Sequence, residues 1–145
     1  MKELLYLKDD QLKVLIEKLS IGYRETFSDS KKILNKYSIG IAHQKVIHLL
    51  SMYDGITISR LLKKLKITKQ SLNRVLQDLI KLEIIIFEKD EIDTRLKHVY
   101  LNEKGEKIFN EIFEIQKKRI YNALLESSSE EVINFDNVLN KIING

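Results

Sequence analysis

The sequence predicts a mainly α-helical fold that contains one small β-hairpin. Apolar side chains recur at three- and four-residue steps through most of the 145 residues, and proline, which interrupts helices, is absent. The helical spacing stops at Ile84 to Phe87, a β-branched and aromatic stretch, and a second extended stretch follows at Leu96 to Leu101. The polar linker Lys89 to Thr94 joins the two, so we expect a hairpin there.

Four helices are predicted before the hairpin. The first is a long amphipathic helix from Asp10 to about Tyr37, and the second runs from the break at 38–40 to about Tyr53. The third begins at Thr57 and the fourth after Thr68, which is a suitable N-cap. The third and fourth helices are therefore short and joined by a tight connection.

Two further helices are predicted after the hairpin. A long helix begins at about Asn102, and its apolar residues spread over more than one narrow face, which favours packing on two sides. Ser128 and Glu131 have the spacing of a capping box and start a last amphipathic helix. Both ends of the chain are thus helical and apolar, in keeping with one domain over residues 1–145.

Composition and motif content exclude several classes of function. Cysteine is absent, which excludes disulfides, Cys-ligated zinc and thiol chemistry. The three histidines, His43, His48 and His98, have no metal-ligand spacing, and neither a G-x-S-x-G motif nor a phosphate-binding glycine loop occurs. We therefore expect no metal, no cofactor and no enzymatic activity.

The apolar runs are too short for a membrane-spanning helix. A span needs about 20 consecutive apolar residues, and the first ten residues have no signal-peptide pattern. A helical protein that lies on a membrane surface is an alternative, but it needs a wide apolar face, whereas the stripes here are narrow enough to be used in a core. The sequence therefore predicts a cytoplasmic protein with no membrane partner.

Positive charge is concentrated in one helix pair. The formal net charge is +4, but the segment from Thr57 to Leu82 holds seven basic residues and one acid, Asp78. The segment from Tyr100 to Gly145 is instead slightly acidic. A basic surface confined to two helices and their turn favours binding to phosphates of a nucleic acid.

The same segment has the organisation of a helix-turn-helix. In such a unit the first helix supports the second, whose N-terminal turns enter the DNA major groove. Gln70 and Asn73 can pair with adenine and Arg74 with guanine, while Lys69 suits phosphate oxygens. The hairpin that follows is interpreted as a wing. The candidate DNA-binding residues are Thr57, Arg60, Lys63, Lys69, Gln70, Ser71, Asn73, Arg74, Gln77, Lys89, Arg95 and Lys97.

Three blocks of the sequence resemble the MarR family of bacterial transcription factors. They are SIGIAHQKVIHLL at 38–50, ITKQSLNRVLQDLI at 67–80, and Asp93-Thr94-Arg95 followed by YLNEKG at 100–105. The resemblance covers about Ile39 to Gly105. It implies a winged helix-turn-helix regulator, with Lys69, Gln70, Asn73 and Arg74 on the recognition helix.

The resemblance also implies an obligate homodimer that binds a pseudo-palindromic operator. Residues 39–101 then form the DNA-binding lobe, and residues 1–37 and 102–145 form dimerisation helices. The candidate dimerisation residues are Leu12, Leu15, Leu19, Ile120, Leu124, Phe135, Leu139 and Ile142.

The wing departs from the family at one position. Asp93 and Arg95 match the family's wing acid and arginine, and Arg95 can contact phosphate or form an ion pair with Asp93. Family wings often carry a further arginine where this chain has Ile92, so deep insertion into the minor groove is not expected here.

Two questions stay open at this point. Many family members bind aromatic acids in a cleft, and a small aromatic ligand is a candidate partner here. The side chains that could line such a cleft are Tyr23, Tyr37, His43, Tyr53, Phe109 and Phe113. Packing in the core is the favoured role for most of them. The alternative function is a protein-interaction module that retains the fold and has lost DNA affinity, against which the concentration of basic residues argues.

Overall fold

The computed structural model describes residues 4–145 and is mostly helical. A single 3-10 turn at Leu5–Leu7 precedes the first helix. The helices are α1 (Asp9–Ser28), α2 (Lys31–Lys36), α3 (Ile41–Met52), α4 (Ile58–Leu65), α5 (Lys69–Lys81), α6 (Glu103–Leu125) and α7 (Ser129–Asn144). The strands are β1 (Ile56–Thr57), β2 (Ile85–Lys89) and β3 (Lys97–Leu101).

The three strands form one antiparallel sheet in the order β1-β3-β2. In the hairpin Ile85 pairs with Leu101 and Lys89 with Lys97, which confirms the predicted wing. The observed strands are offset from the predicted ones: β2 extends to Lys89, and β3 begins one residue after Leu96. Strand β1 has only two residues and was not predicted, because its pairing with Val99 and His98 depends on distant residues.

Residues 30–113 form the central unit, which contains the hydrophobic core. Helices α3, α4 and α5, the sheet and the first half of α6 each contribute buried aliphatic side chains. Among those completely shielded from solvent are Ile47, Leu61, Leu72, Leu79, Val99 and Ile108. This core sets α4 and α5 in place against the sheet.

Residues 4–29 and 114–145 are the described part of a second compact unit, the terminal unit. It consists of α1, the second half of α6, and α7. None of its described hydrophobic side chains is buried, and Gln116 is the one buried residue among those described. Apolar residues are nevertheless frequent in these helices, so the single chain leaves a large apolar surface uncovered.

The prediction of one uninterrupted helix from Asp10 to Tyr37 is wrong. Helix α1 ends at Ser28, and α2 begins at Lys31. Ser and Asp residues at 28–30 favour non-helical backbone, and the Asp29 carboxylate accepts two hydrogen bonds from the Arg119 guanidinium of α6. A contact that sequence spacing does not reveal therefore stabilises the break.

Candidate nucleic-acid interface

Helix α4 supports the interface and presents two of the predicted DNA-binding cations. The Thr57 hydroxyl accepts a hydrogen bond from the backbone N–H of Arg60 at 3.2 Å, so Thr57 is the N-cap of α4. Leu61 is buried beneath the helix, whereas Arg60 and Lys63 are exposed. The helix ends at Lys66, which has a left-handed backbone (φ 52°) and turns the chain sharply towards α5.

Helix α5 separates its apolar and polar side chains completely over its first turns. Leu72, Val75, Leu76 and Leu79 are buried, as the spacing predicted. The exposed polar set consists of Lys69, Gln70, Asn73, Arg74 and Gln77. Within residues 4–145 no side chain of this set has a hydrogen-bond or ion-pair partner. The set is therefore free to bind an external ligand.

The first turn of α5 is held by two hydrogen bonds. The Thr68 hydroxyl oxygen accepts from the Ser71 backbone N–H at 3.1 Å, which confirms Thr68 as the N-cap. The Thr68 hydroxyl proton goes to the Ser71 oxygen at 2.8 Å. Ser71 therefore retains its own hydroxyl proton for a phosphate or base acceptor.

The one acid of the basic segment is engaged by another helix. The Nε2 atom of His43 lies 2.9 Å from an Asp78 carboxylate oxygen, while Nδ1 accepts the backbone N–H of Gly40. This arrangement requires the proton on Nε2, so neutral His43 donates to Asp78. The contact joins α3 to α5 and gives the Asp78 carboxylate a partner inside the protein.

The wing carries three of the predicted cations and an exposed tip. Lys89, Arg95 and Lys97 are exposed, and Ile92 is 96% exposed at the tip. The Arg95 guanidinium donates to both oxygens of Asp93, at 3.0 and 3.1 Å, so the intra-wing ion pair exists. Arg95 lowers the pKa of Asp93. The Arg95 side chain is 89% exposed, so solvent weakens the ion pair and a phosphate can compete for the guanidinium.

The aromatic ligand candidates of the central unit have partners within it. The Tyr37 hydroxyl donates to Glu111 at 2.7 Å and lowers the pKa of that carboxyl group. Lys64 lies 4.3 Å from the centre of the Tyr53 ring, and the rings of Phe109 and Phe113 are stacked. These contacts support packing and anchoring roles for the aromatic residues of this unit.

Tyr23 has a different position, in an apolar groove of the terminal unit. The groove has a volume of about 400 Å³. Its walls include four of the predicted dimerisation residues, Leu15, Leu19, Ile120 and Phe135.

Metal binding and membrane insertion have no support in the described residues. Within residues 4–145 no group of three or more His, Asp or Glu residues is arranged to hold a metal ion. No helix in residues 4–145 is long and apolar enough to span a membrane.

Sequence reasoning missed two features of this region. His98 hydrogen bonds to the Gly55 carbonyl and to Asp90, and Gly105 lies directly against the backbone of Ile84. The register of the hairpin and the start of α6 determine both contacts. The YLNEKG block was the only sequence signal at Gly105, and His98 had none.

The geometry defines a class of protein. Two short helices joined by a left-handed turn, followed by a paired hairpin, are a winged helix-turn-helix, in which the second helix exposes groups suited to base edges. No protein-family model matches the sequence. A relative, the HTH-type transcriptional regulator PetP of Rhodobacter capsulatus, is 36% identical over 136 residues, which cover 94% of this chain and 82% of the relative.

Solved structures show the same fold. A MarR transcriptional regulator from Methanosarcina mazei superposes with a TM-score of 0.75 at 24% identity, covering 91% of this chain and 95% of that one. A MarR-family regulator from Silicibacter pomeroyi gives 0.75 at 18% identity, with coverages of 98% and 94%. MepR of S. aureus, solved in complex with DNA, gives 0.72 at 22% identity, with coverages of 91% and 96%.

The chain belongs to the MarR family of transcriptional regulators. This membership confirms the predicted family and the predicted mainly α-helical winged fold. It also confirms that the chain is a regulator rather than an enzyme.

Proposed function

We propose that this chain binds a pseudo-palindromic DNA operator as a homodimer in the cytoplasm, with α5 as the helix that reads bases. The observation that carries the proposal is the exposed polar set of α5, which has no partner in the described chain while the opposite face is buried. Lys69, Gln70, Asn73 and Arg74 lie within the first two turns of α5, the part of a recognition helix that contacts base edges.

The remaining candidates have supporting roles in this proposal. Arg60 and Lys63 of α4 and the cations of the wing bind phosphates, which positions the protein without reading sequence. Ser71 and Thr57 lie at the starts of α5 and α4, where free backbone N–H groups favour anions. Gln77, one turn beyond Asn73, extends the reading surface.

The terminal unit supplies the dimer contact. Its predicted dimerisation residues are exposed or partly exposed in the single chain, and several line the apolar groove. A second copy that packs its own terminal helices on this surface shields the apolar residues of both subunits at once, because a twofold interface uses the same surface on each subunit. Two lobes joined in this way suit two half-sites of an operator.

Arg74→Ala is expected to change which DNA sequence is preferred, whereas Lys63→Ala is expected to change only the affinity. Arg74→Ala should relax the preference at one base pair and weaken operator binding by about 1 to 3 kcal/mol, because a bidentate base contact is lost. Lys63→Ala should weaken binding to all DNA sequences alike. It should also lower the salt slope, which is the steepness of log K against log salt concentration, by about one, since one phosphate contact is lost. Selection of bound fragments from random duplex DNA, followed by titration of the selected site at several salt concentrations, measures both.

Two results would contradict this assignment. If both substitutions only scaled affinity uniformly, α5 would not be the reading helix. If the unmodified protein enriched no duplex sequence and bound duplex DNA negligibly at low salt, the protein-interaction module would be the better description. Gln11→Ala, on the exposed face of α1, serves as a control that should change neither specificity nor salt slope.

Ile92→Arg is expected to raise DNA affinity. The exposed tip can place an arginine in a narrow minor groove, where the negative potential is enhanced. The gain should be severalfold, greatest at low salt and for A/T-rich flanks, with a salt slope larger by about one and unchanged bases under α5. Titrating the wild type, Ile92→Arg and Ile92→Ala against one operator measures the change. Much weaker binding by Ile92→Ala with no gain from Ile92→Arg would show that the tip is an apolar reader.

A further inference from the structure

His98 occupies the junction between the wing and the rest of the sheet. It lies in the central strand β3, where it pairs with Thr57 of β1 on one side and Glu88 of β2 on the other. Its Nδ1 atom is 2.7 Å from the carbonyl oxygen of Gly55, and its Nε2 atom is 2.8 Å from a carboxylate oxygen of Asp90. Both ring nitrogens are therefore engaged, by residues on opposite sides of the strand.

The two partners determine the protonation state of the ring. A backbone carbonyl oxygen and an ionised carboxylate can only accept hydrogen bonds, so each ring nitrogen must carry a proton. Only the imidazolium cation has protons on both nitrogens. His43 differs, because one of its nitrogens accepts a backbone N–H.

Asp90 extends this contact to the tip of the wing. Its other carboxylate oxygen accepts the backbone N–H groups of Ile92 at 3.1 Å and Asp93 at 2.9 Å. The Gly55 carbonyl lies just before β1 and the N-cap of α4. The His98 ring thus joins the folded loop of the wing to the turn that precedes the helix-turn-helix.

The charged groups that face His98 favour its cationic form. Asp90 from the wing loop and Glu88 from β2 are both acidic, and the residues facing it from the β1 side, Gly55 and Thr57, are uncharged. The hydrogen bonds to Asp90 and to the Gly55 carbonyl raise the pKa of His98 above its usual 6.5. The backbone N–H of Asp93 and the His98 ring lower the pKa of Asp90.

We propose that His98 is a positioning residue for the wing, whose doubly protonated ring ties the wing loop to the turn before α4, so that DNA binding weakens when the ring loses its proton. The link to DNA binding rests on the proposed function. A phosphate backbone beside the wing adds to the effect, because the field of a polyanion favours a cation.

The direction of the pH dependence follows from linkage. A histidine whose pKa is raised in the folded protein contributes its full stabilisation below the unfolded pKa, near 6.5, and loses it as pH rises through the folded value. The wing should therefore be most ordered below about pH 6.5 and should loosen as the pH rises through the raised pKa of His98. Affinity for DNA should fall over the same range.

The experiment combines nitrogen NMR of the His98 ring with DNA titrations from pH 6 to pH 9. Both ring nitrogens should be protonated at the acid end, with the Ile92 and Asp93 amides protected from exchange until the ring titrates. Wild-type affinity should fall by up to roughly tenfold per pH unit near the midpoint, as expected for one linked proton. His98→Gln should bind more weakly at pH 6 and show a flatter profile, whereas His48→Gln, on α3, should follow the wild type.

Asp90→Asn provides a second variant that retains an acceptor oxygen for the wing loop. Without the carboxylate charge, the His98 titration and the loss of affinity should both move to lower pH. A singly protonated His98 ring at pH 6, or a wild-type pH profile in His98→Gln, would overturn the proposal. Failure to bind DNA at any pH would overturn the proposed function, while the ring titration and amide protection would still decide whether the contact positions the wing.

Discussion

The protein is expected to sediment as a dimer at low micromolar concentration, and the double variant Leu12→Ala with Leu139→Ala is expected to lose that assembly. Both residues belong to the terminal unit, in which no described hydrophobic side chain is buried. An isolated subunit would leave that apolar surface in water, so folding and association should be coupled.

The size of the effect follows from the symmetry of a twofold interface. Each truncated leucine occurs twice per dimer, and each should cost about 1 kcal/mol when its apolar carbons are only partly buried. The double variant would then lose about 4 kcal/mol of dimer stability, which raises the dissociation constant by roughly a thousandfold. Helix content should fall with the assembly and should depend on protein concentration.

Sedimentation velocity and circular dichroism over a concentration series measure both quantities. Leu96→Ala is a matched control, because Leu96 is 40% exposed and Leu12 38%, yet Leu96 lies in the wing. The control should remain dimeric. A folded wild-type monomer at low micromolar concentration, or a double variant with unchanged assembly, would contradict the proposed dimer contact.

Gly105→Ala is expected to destabilise the central unit. A Cβ atom at Gly105 would lie 2.2 Å from the backbone carbonyl oxygen of Ile84. That oxygen already accepts the backbone N–H of Asn102 at 3.0 Å, so it cannot move without loss of the contact between β2 and the start of α6. Overpacking of this kind costs about 1 to 3 kcal/mol, and a collision with backbone belongs at the upper end.

Thermal unfolding monitored by circular dichroism tests this prediction. Gly40→Ala is the matched control, since its Cβ would meet only the His43 ring at 3.8 Å and its φ of −119° suits any residue. The control should cost no more than the N-cap preference for glycine over alanine, whereas Gly105→Ala should lower the melting temperature by several degrees further. Equal melting temperatures would show that the junction between β2 and α6 adjusts without cost.

The prediction and the structure agree on those features of the site that depend on residues close together in the sequence. The buried face of α5 and its Thr68 cap could be predicted because side chains three and four residues apart share a helix face and a cap involves adjacent residues. The capping box at Ser128 and Glu131 is present for the same reason. The DNA-contacting roles of the exposed residues stay a prediction until the binding experiments are made.

Long-range contacts account for the features that sequence patterns did not reveal. The break after α1 is held by Arg119, ninety residues from Asp29, and β1 exists only because it pairs with β3. The left-handed backbone of Glu83, with φ 58°, has the Asn102 side chain on its carbonyl. None of these partners can be identified from spacing, because each depends on which strands and helices pack together.

By itself the sequence determined the helix-turn-helix, the hairpin after it and the concentration of basic residues on the two helices, since periodicity, caps and charge are properties of neighbouring residues. Only the tertiary structure decided which polar groups are free to bind and which are engaged. Asp78 has a partner in His43, and the His98 ring is engaged by Gly55 and Asp90, whereas Arg74 has no partner in the described chain. The reason is physical: a hydrogen bond forms between groups that the fold brings within about 3 Å, whatever their separation along the chain.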